Sequence, residues 1–391
     1  MLKKKSYLFS RATGALANSL YGMVFIWWLQ IQTNKSSLVG LTNAIFSVTA
    51  ALSIFYGPII DNHSFKKTSQ NSLLIQTILL FLLTVAIIYF KQNIALAILL
   101  AGLLSICDEF FNPADRAILK ETVTDNQSLT NLISKISIID QAVNIAGTAL
   151  SGALLICLTS GQVILSCACL SLLSLIILHI ALRDISSNKK DNSKTTNSIK
   201  DYKTQVFAGI KYIFKNKFLH HYFWSSILYS FASPALLIIL PKVAQSLGSA
   251  VYYSTFYICF IIGFLCGALL CGKLKAKVKT ISTAWILSSI PLFLMLFFIS
   301  NWIVFSFLIL VFGFLTSLQD ILSESMIQIA SNDEYLGRVL TTIRTSTSIG
   351  GPISSILAGI LLDISGYNIL ILACAIFILC GGINILFAKT H

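Results

Sequence analysis

Charge is what this sequence has least of. Only 11% of its 391 residues are charged, against 56% hydrophobic, and mean hydropathy is +0.82. No soluble globular domain needs so much apolar surface, so that class is excluded. Catalytic motifs are missing as well: there is no HExxH, no GxSxG and no paired metal-ligand spacing, and the 15 acids are scattered over separate segments, which argues against an enzyme. The nine cysteines form no CxxC pair and lie in or beside apolar runs, where small packing residues are expected rather than metal ligands or disulfides. No metal or cofactor is expected. No soluble stretch is large enough for an ATPase domain. GALLCGKL, residues 267–274, comes close to a phosphate-binding loop, but Leu274 stands where a Ser or Thr must ligate magnesium, and an apolar run precedes it instead of a strand.

What is present is long apolar runs. Twelve stretches of bilayer-spanning length lie near 10–31, 38–56, 72–90, 94–111, 129–157, 162–182, 220–240, 252–272, 281–300, 302–320, 339–362 and 368–387. A membrane β-barrel would show short alternating segments instead, and LLIQTILLFLLTVAIIYF does not alternate. The expected fold class is therefore an all-α polytopic membrane protein with twelve transmembrane helices.

A net charge of +13 could suggest nucleic acid, but the placement of the basic residues points to a membrane. Of 28 Lys and Arg, only Lys35, Lys91 and Lys242 fall in alternate loops on one side. That asymmetry predicts both termini and the central loop in the cytoplasm. Lys3, Lys4 and Lys5 with the triplet Ala15-Leu16-Ala17 imitate a signal peptide, yet Arg11 interrupts the run and hydrophobicity continues past the triplet. A retained first helix is expected.

The sequence also repeats. GPIIDNHSFKK, residues 57–67, has a counterpart 210 positions later in GALLCGKLKAK, and the stretch from Thr124 aligns without a gap on the stretch from Ser331, pairing Leu129 with Leu336 and Gly152 with Gly359. Two parallel six-helix pseudo-repeats follow, 1–182 and 220–391, with substrate expected near the midplane between them. Residues 183–219 form a cytoplasmic linker. In it, Tyr202, Val206, Ile210 and Phe214 share a helical face with Lys203, Lys211 and Lys215 off it, as in an interfacial helix against anionic headgroups.

Four stretches carry a family likeness: GPIIDNHSFKK, NPADRAILKETVTDNQSLTN, FAGIKYIFKNKFL and NDEYLGRVLTTIRTSTSIGGP. With the twelve-span layout they resemble the major facilitator superfamily of secondary transporters, and within it the bacterial macrolide efflux and siderophore exporter branch. The resemblance implies a turn after helix 2 built from glycine, an aspartate and a basic cluster, met here by Gly57, Asp61, Lys66 and Lys67, with Asn62 where arginine is usual. The Asp61 carboxylate could sit against the positive N-terminal end of helix 11, just after Arg338, and latch the cytoplasmic side. The alternative is a plain basic surface turn, which suits the second copy better.

Charges inside spans are costly and must face a cavity or a partner. Asp140 lies eleven residues into helix 5, which predicts a position near the midplane. Ser137, Asp140 or Gln141, Asn144, Thr148 and Ser151 recur at helical spacing as a polar stripe. Asp140 suits a proton carrier or substrate ligand, and the alternative is a structural hydrogen bond. Asp108 and Glu109 are the reserve carriers, or partners of Lys135 or Arg116 in a gate. Asp320 and Glu324, one turn apart, are expected to meet Arg338 or water. Arg344 could bind an anionic substrate or hold a gate acid. Asn18, Tyr21 and Tyr229 are cavity candidates, while Trp27 and Trp28 are expected as interface anchors.

The expectation is a monomeric secondary active transporter in a bacterial cytoplasmic membrane, exporting a small amphipathic molecule such as a macrolide-like drug or a siderophore by alternating access and proton antiport. An ion-independent lipid or metabolite facilitator is the alternative, and a non-transporting receptor or scaffold ranks below both.

Overall fold

A computed structural model describes residues 4–52, 64–90, 92–122, 126–183, 210–271 and 273–388, and its ordered elements are helices. In chain order they are α1 (Lys4–Thr33), α2 (Ser36–Ala51), α3 (Phe65–Tyr89), α4 (Ile94–Thr122), α5 (Asn126–Cys157), α6 (Ser160–Ala181), α7 (Lys217–Ser246), α8 (Ala250–Cys271), α9 (Val278–Phe298), α10 (Trp302–Ala330) and α11 (Asp333–Leu386). Lipid offers the backbone no hydrogen-bond partner, and a helix satisfies its N–H and C=O groups internally, so the apolar runs fold this way.

Among the described residues nine stretches are long and apolar enough to cross a membrane. One of these, residues 345–386, covers 42 residues, about 60 Å at helical rise and enough for two passes. It bends at Gly366, whose φ of 72° is left-handed and comfortable only for glycine. Large apolar side chains face outward along the helices: Leu269 is 80% exposed, Phe297 79% and Ile364 78%. In water that surface would drive aggregation, whereas in a bilayer it is solvated.

The described residues divide into two compact units, one made of those within 1–34 and 48–195, the other of those within 35–47 and 196–391. In the first, α1 packs on α5 and α6, and α3 on α4 and α6. Small polar residues let these helices close up. Ser10 and Ser174 exchange hydroxyl-to-carbonyl hydrogen bonds of 2.8 Å between α1 and α6, and Thr77 and Ser171 bond at 2.8 Å between α3 and α6. Trp27 and Trp28 are 9% and 7% exposed. They belong to the packed core and are not interface anchors: residues 23–30 of α1 are buried, and Trp28 stacks on Phe25 at 5.9 Å.

In the second unit α7 packs on α11, α8 on α10, and α9 on α10 and α11. α8 and α10 approach backbone to backbone, because a Cβ at Gly263 would collide with the Leu310 carbonyl and one at Gly313 with the Phe260 carbonyl. The first three turns of α2 belong to this unit. Gly40 and Gly359 meet there without side chains between them, and the Asp363 carboxylate accepts from the backbone N–H groups of Ser36 at 2.6 Å and Ser37 at 2.8 Å. This is an acid on the positive end of a helix, the physics expected of Asp61. Gly57 and Asp61 themselves lie outside the described residues.

Of the expected interfacial helix, residues 210–215 are described and helical. Ile213 is fully buried and Phe214 is 45% exposed, its ring 5.0 Å from His220. All nine cysteines are free, and Cys107, Cys167, Cys271 and Cys374 are buried.

Candidate functional site

The polar residues of the first unit gather on a cavity of about 350 Å3 lined by α1, α3, α4, α5 and α6. Arg11 commands one part of it. Its guanidinium donates to Asp115 on α4 and, at 2.9 Å, to Asp140 on α5. Tyr7, one turn before Arg11, donates its hydroxyl to the other Asp115 oxygen at 2.5 Å. The side chains of Arg11 and Asp115 are 13% and 2% exposed, whereas that of Asp140 is 37% exposed. One cation thus serves two acids. Asp115 is enclosed and doubly bonded; Asp140 stands at the cavity wall, and its second oxygen has no donor among the described residues.

Asp140 was expected to carry a proton or bind substrate, with a structural hydrogen bond as the alternative; in the structure it lines the cavity and accepts from Arg11. The polar stripe splits: Asp140 and Asn144 line the cavity, Thr148 and Ser151 are buried, and Gln141 is exposed and does not line it.

A second polar group lies farther along the same cavity. The Asn18 amide donates to Asp108 at 2.9 Å, and the Gln76 amide donates to the Asn18 carbonyl at 2.6 Å and to Asp108 at 3.0 Å. Asp108 therefore has neutral amides for partners among the described residues; the side chains of Lys135 and Arg116, its expected gate partners, lie outside them. Glu109 turns to another side of α4 and is half-buried. Tyr21 is buried at 6% exposure, its hydroxyl without a partner among the described residues, and packs on Phe25 rather than lining this cavity.

Lys66 and Lys67 open α3, with Lys66 reaching the Arg183 carbonyl at 3.4 Å. Arg116, Lys135, Arg338 and Arg344 belong to α4, α5 and α11, but their side chains lie outside the described residues. Tyr229 lines cavities in the second unit.

Sequence reasoning missed Arg11, Asp115, Tyr7 and Gln76. The signal for Arg11 was present: a guanidinium in an apolar helix needs an acid as much as Asp140 needs a base. Gln76 interrupts a long aliphatic run, where an amide has only interhelical partners. Asp115 was hidden beside Pro113 and Arg116 in a stretch that reads as a polar loop, yet it belongs to α4.

The chain matches the sequence profile of the Major Facilitator Superfamily over residues 7–278 and again over 222–391. It is 26% identical over 215 residues to the uncharacterized MFS-type transporter YfmI of Bacillus subtilis (strain 168), a match covering 54% of this chain and 52% of that protein. The chain thus spans about half the length of that curated relative. Among solved structures, the nucleoside transporter NupG superimposes with a TM-score of 0.75 at 14% identity over all of both chains. An inward-facing bacterial homologue of the iron transporter ferroportin gives 0.76 at 13% identity, covering 99% of this chain and 98% of that one. A point mutant of the peptide transporter POT gives 0.73 at 10%, covering 98% and 93%. At these identities the likeness is one of fold.

Proposed function

Since the chain belongs to the major facilitator superfamily and is a multi-pass membrane transporter rather than an enzyme, we propose that it is a secondary active exporter of a small amphipathic molecule, with protons as the coupling ion. Its two six-helix halves, 1–182 and 220–391, rock about a central site, and the chain lies in a bacterial cytoplasmic membrane with both termini inside.

The observation that supports coupling is the sharing of Arg11 between the enclosed Asp115 and the cavity-facing Asp140. Two acids and one base leave the cluster one negative charge in excess when all are ionised. A proton taken by Asp140 removes that charge and leaves Arg11 to Asp115 alone, which loosens α5 from α1 while α4 stays tied. Proton entry and helix movement are thereby linked through one side chain, as alternating access requires. Asp108, held by Asn18 and Gln76, which line the same cavity, is the reserve carrier. One charge crossing 100 mV supplies roughly 2.3 kcal/mol, enough for a useful gradient.

The ion-pair geometry equally suits a second reading, an ion-independent facilitator in which Arg11, Asp115 and Asp140 form a permanent structural clasp. Purified protein in liposomes under an imposed pH gradient separates the two. Proton antiport predicts that a macrolide-like dye or an iron-free siderophore moves protons and that Asp140→Asn abolishes this flux. Substrate movement indifferent to both gradient and mutation would establish the facilitator.

A further inference from the structure

The second unit holds a cavity of about 310 Å3 between α7, α9, α10 and α11, and its chemistry differs from that of the first. Tyr222, Tyr229 and Trp285 contribute aromatic rings, Asp320 contributes a carboxylate, and Ser226 and Ser230 contribute hydroxyls. Trp285 is 1% exposed. The benzene edge of its indole packs on Gly381, so its N–H edge points the opposite way, and that N–H has no acceptor among the described residues. The Trp285 ring meets Tyr229 at 5.6 Å and 63°, and Tyr222 at 6.5 Å and 86°.

Asp320 is the charge in this enclosure. Among the described side chains no Lys, Arg or His pairs with it, and its charged neighbour is another acid, exposed Glu324, one turn along α10. Among the described side chains nothing gives this carboxylate, beside three aromatic rings, the compensation that Arg11 provides in the first unit; those of Arg338 and Arg344 lie outside them. Aromatic faces attract cations, and a carboxylate beside them adds the full charge.

We propose that this cavity binds an organic cation: a quaternary or protonated nitrogen set between Asp320 and the Tyr222–Tyr229–Trp285 rings, with the apolar remainder of the molecule against the cavity walls. Read with the export function, this names the cargo as a cationic amphiphile, and the binding itself requires neither a gradient nor Asp140.

The test is equilibrium binding of radiolabelled benzyltrimethylammonium to the purified full chain in detergent, with its uncharged carbon isostere, neopentylbenzene, as competitor. Saturable binding that the isostere fails to displace is expected. Asp320→Asn should weaken it by about tenfold and Trp285→Phe by roughly threefold, in line with a desolvated cation–aromatic contact, while Asp320→Glu retains most of it. No saturable binding to the wild-type chain, equal displacement by the isostere, or full affinity in a folded Asp320→Asn protein would each overturn the proposal. The charged and neutral probes on the wild-type chain decide the matter even where a variant fails to fold. Because no proton flux is measured, loss of antiport in liposomes and loss of cation binding here are separate results.

Discussion

The two units place matching positions of the repeat on their cavities and then use them differently. At the offset that pairs Thr124 with Ser331, Asp140 corresponds to Thr347 and Asn144 to Gly351, and all four line the cavity of their own unit. In the first unit the wall is ionic, with Arg11 holding Asp115 and Asp140. In the second it is aromatic, with Asp320 left without a basic partner among the described side chains. Duplication kept which helix faces the cavity, since that follows from packing, while the chemistry on that face diverged. A charge compensated within the protein suits switching, and an uncompensated one suits a ligand.

The contrast breaks most sharply at Arg11. Arg11→Met should strip the enclosed Asp115 of its counter-ion and destabilise the protein by about 3–5 kcal/mol, seen as a large fall in thermal midpoint in detergent. Pairing it with Asp115→Asn should recover much of the loss, because the cost lies in the orphaned charge. A single Arg11→Met protein as stable as wild type would show that the cluster is ornamental.

Smaller effects sharpen the picture in the second unit. Gly366→Ala places a Cβ on left-handed backbone and should cost about 1 kcal/mol, since no neighbouring atom crowds the site and only the backbone conformation objects. Asp363→Asn should cost less, roughly 0.5 kcal/mol, because the carboxylate is exposed although it caps the start of α2. Hydrogen exchange at Ser36 and Ser37 should nevertheless quicken. Smallest of all, Asp320→Asn should leave the thermal midpoint unchanged or slightly raised, since no described ion pair is broken. A loss comparable to that of Arg11→Met would mean that Asp320 is bonded within the protein and is not available to a ligand.

How much of the site was legible differs residue by residue. Asp140, Asp108, Asn144 and Asn18 were found because a polar group in an apolar run needs a reason: Asp140, Asn144 and Asn18 line one cavity, and Asp108 is bonded to its Asn18. Arg11 was visible by the same rule but was weighed only as an interruption of a hydrophobic run. Asp115 could not be found that way, because its surroundings in the chain are polar and only the tertiary packing encloses it.

The sequence alone determined the solvent, the secondary structure and the duplication. Lipid forbids unsatisfied backbone, so apolar run length dictates helices, and repeats survive in the order of residues. Tertiary structure decided the pairing. Which acid receives Arg11, which amides hold Asp108 and which carboxylate is left to an aromatic cavity depend on helices far apart in the chain meeting within hydrogen-bond reach. A strong interaction over that distance leaves no periodic trace along the chain.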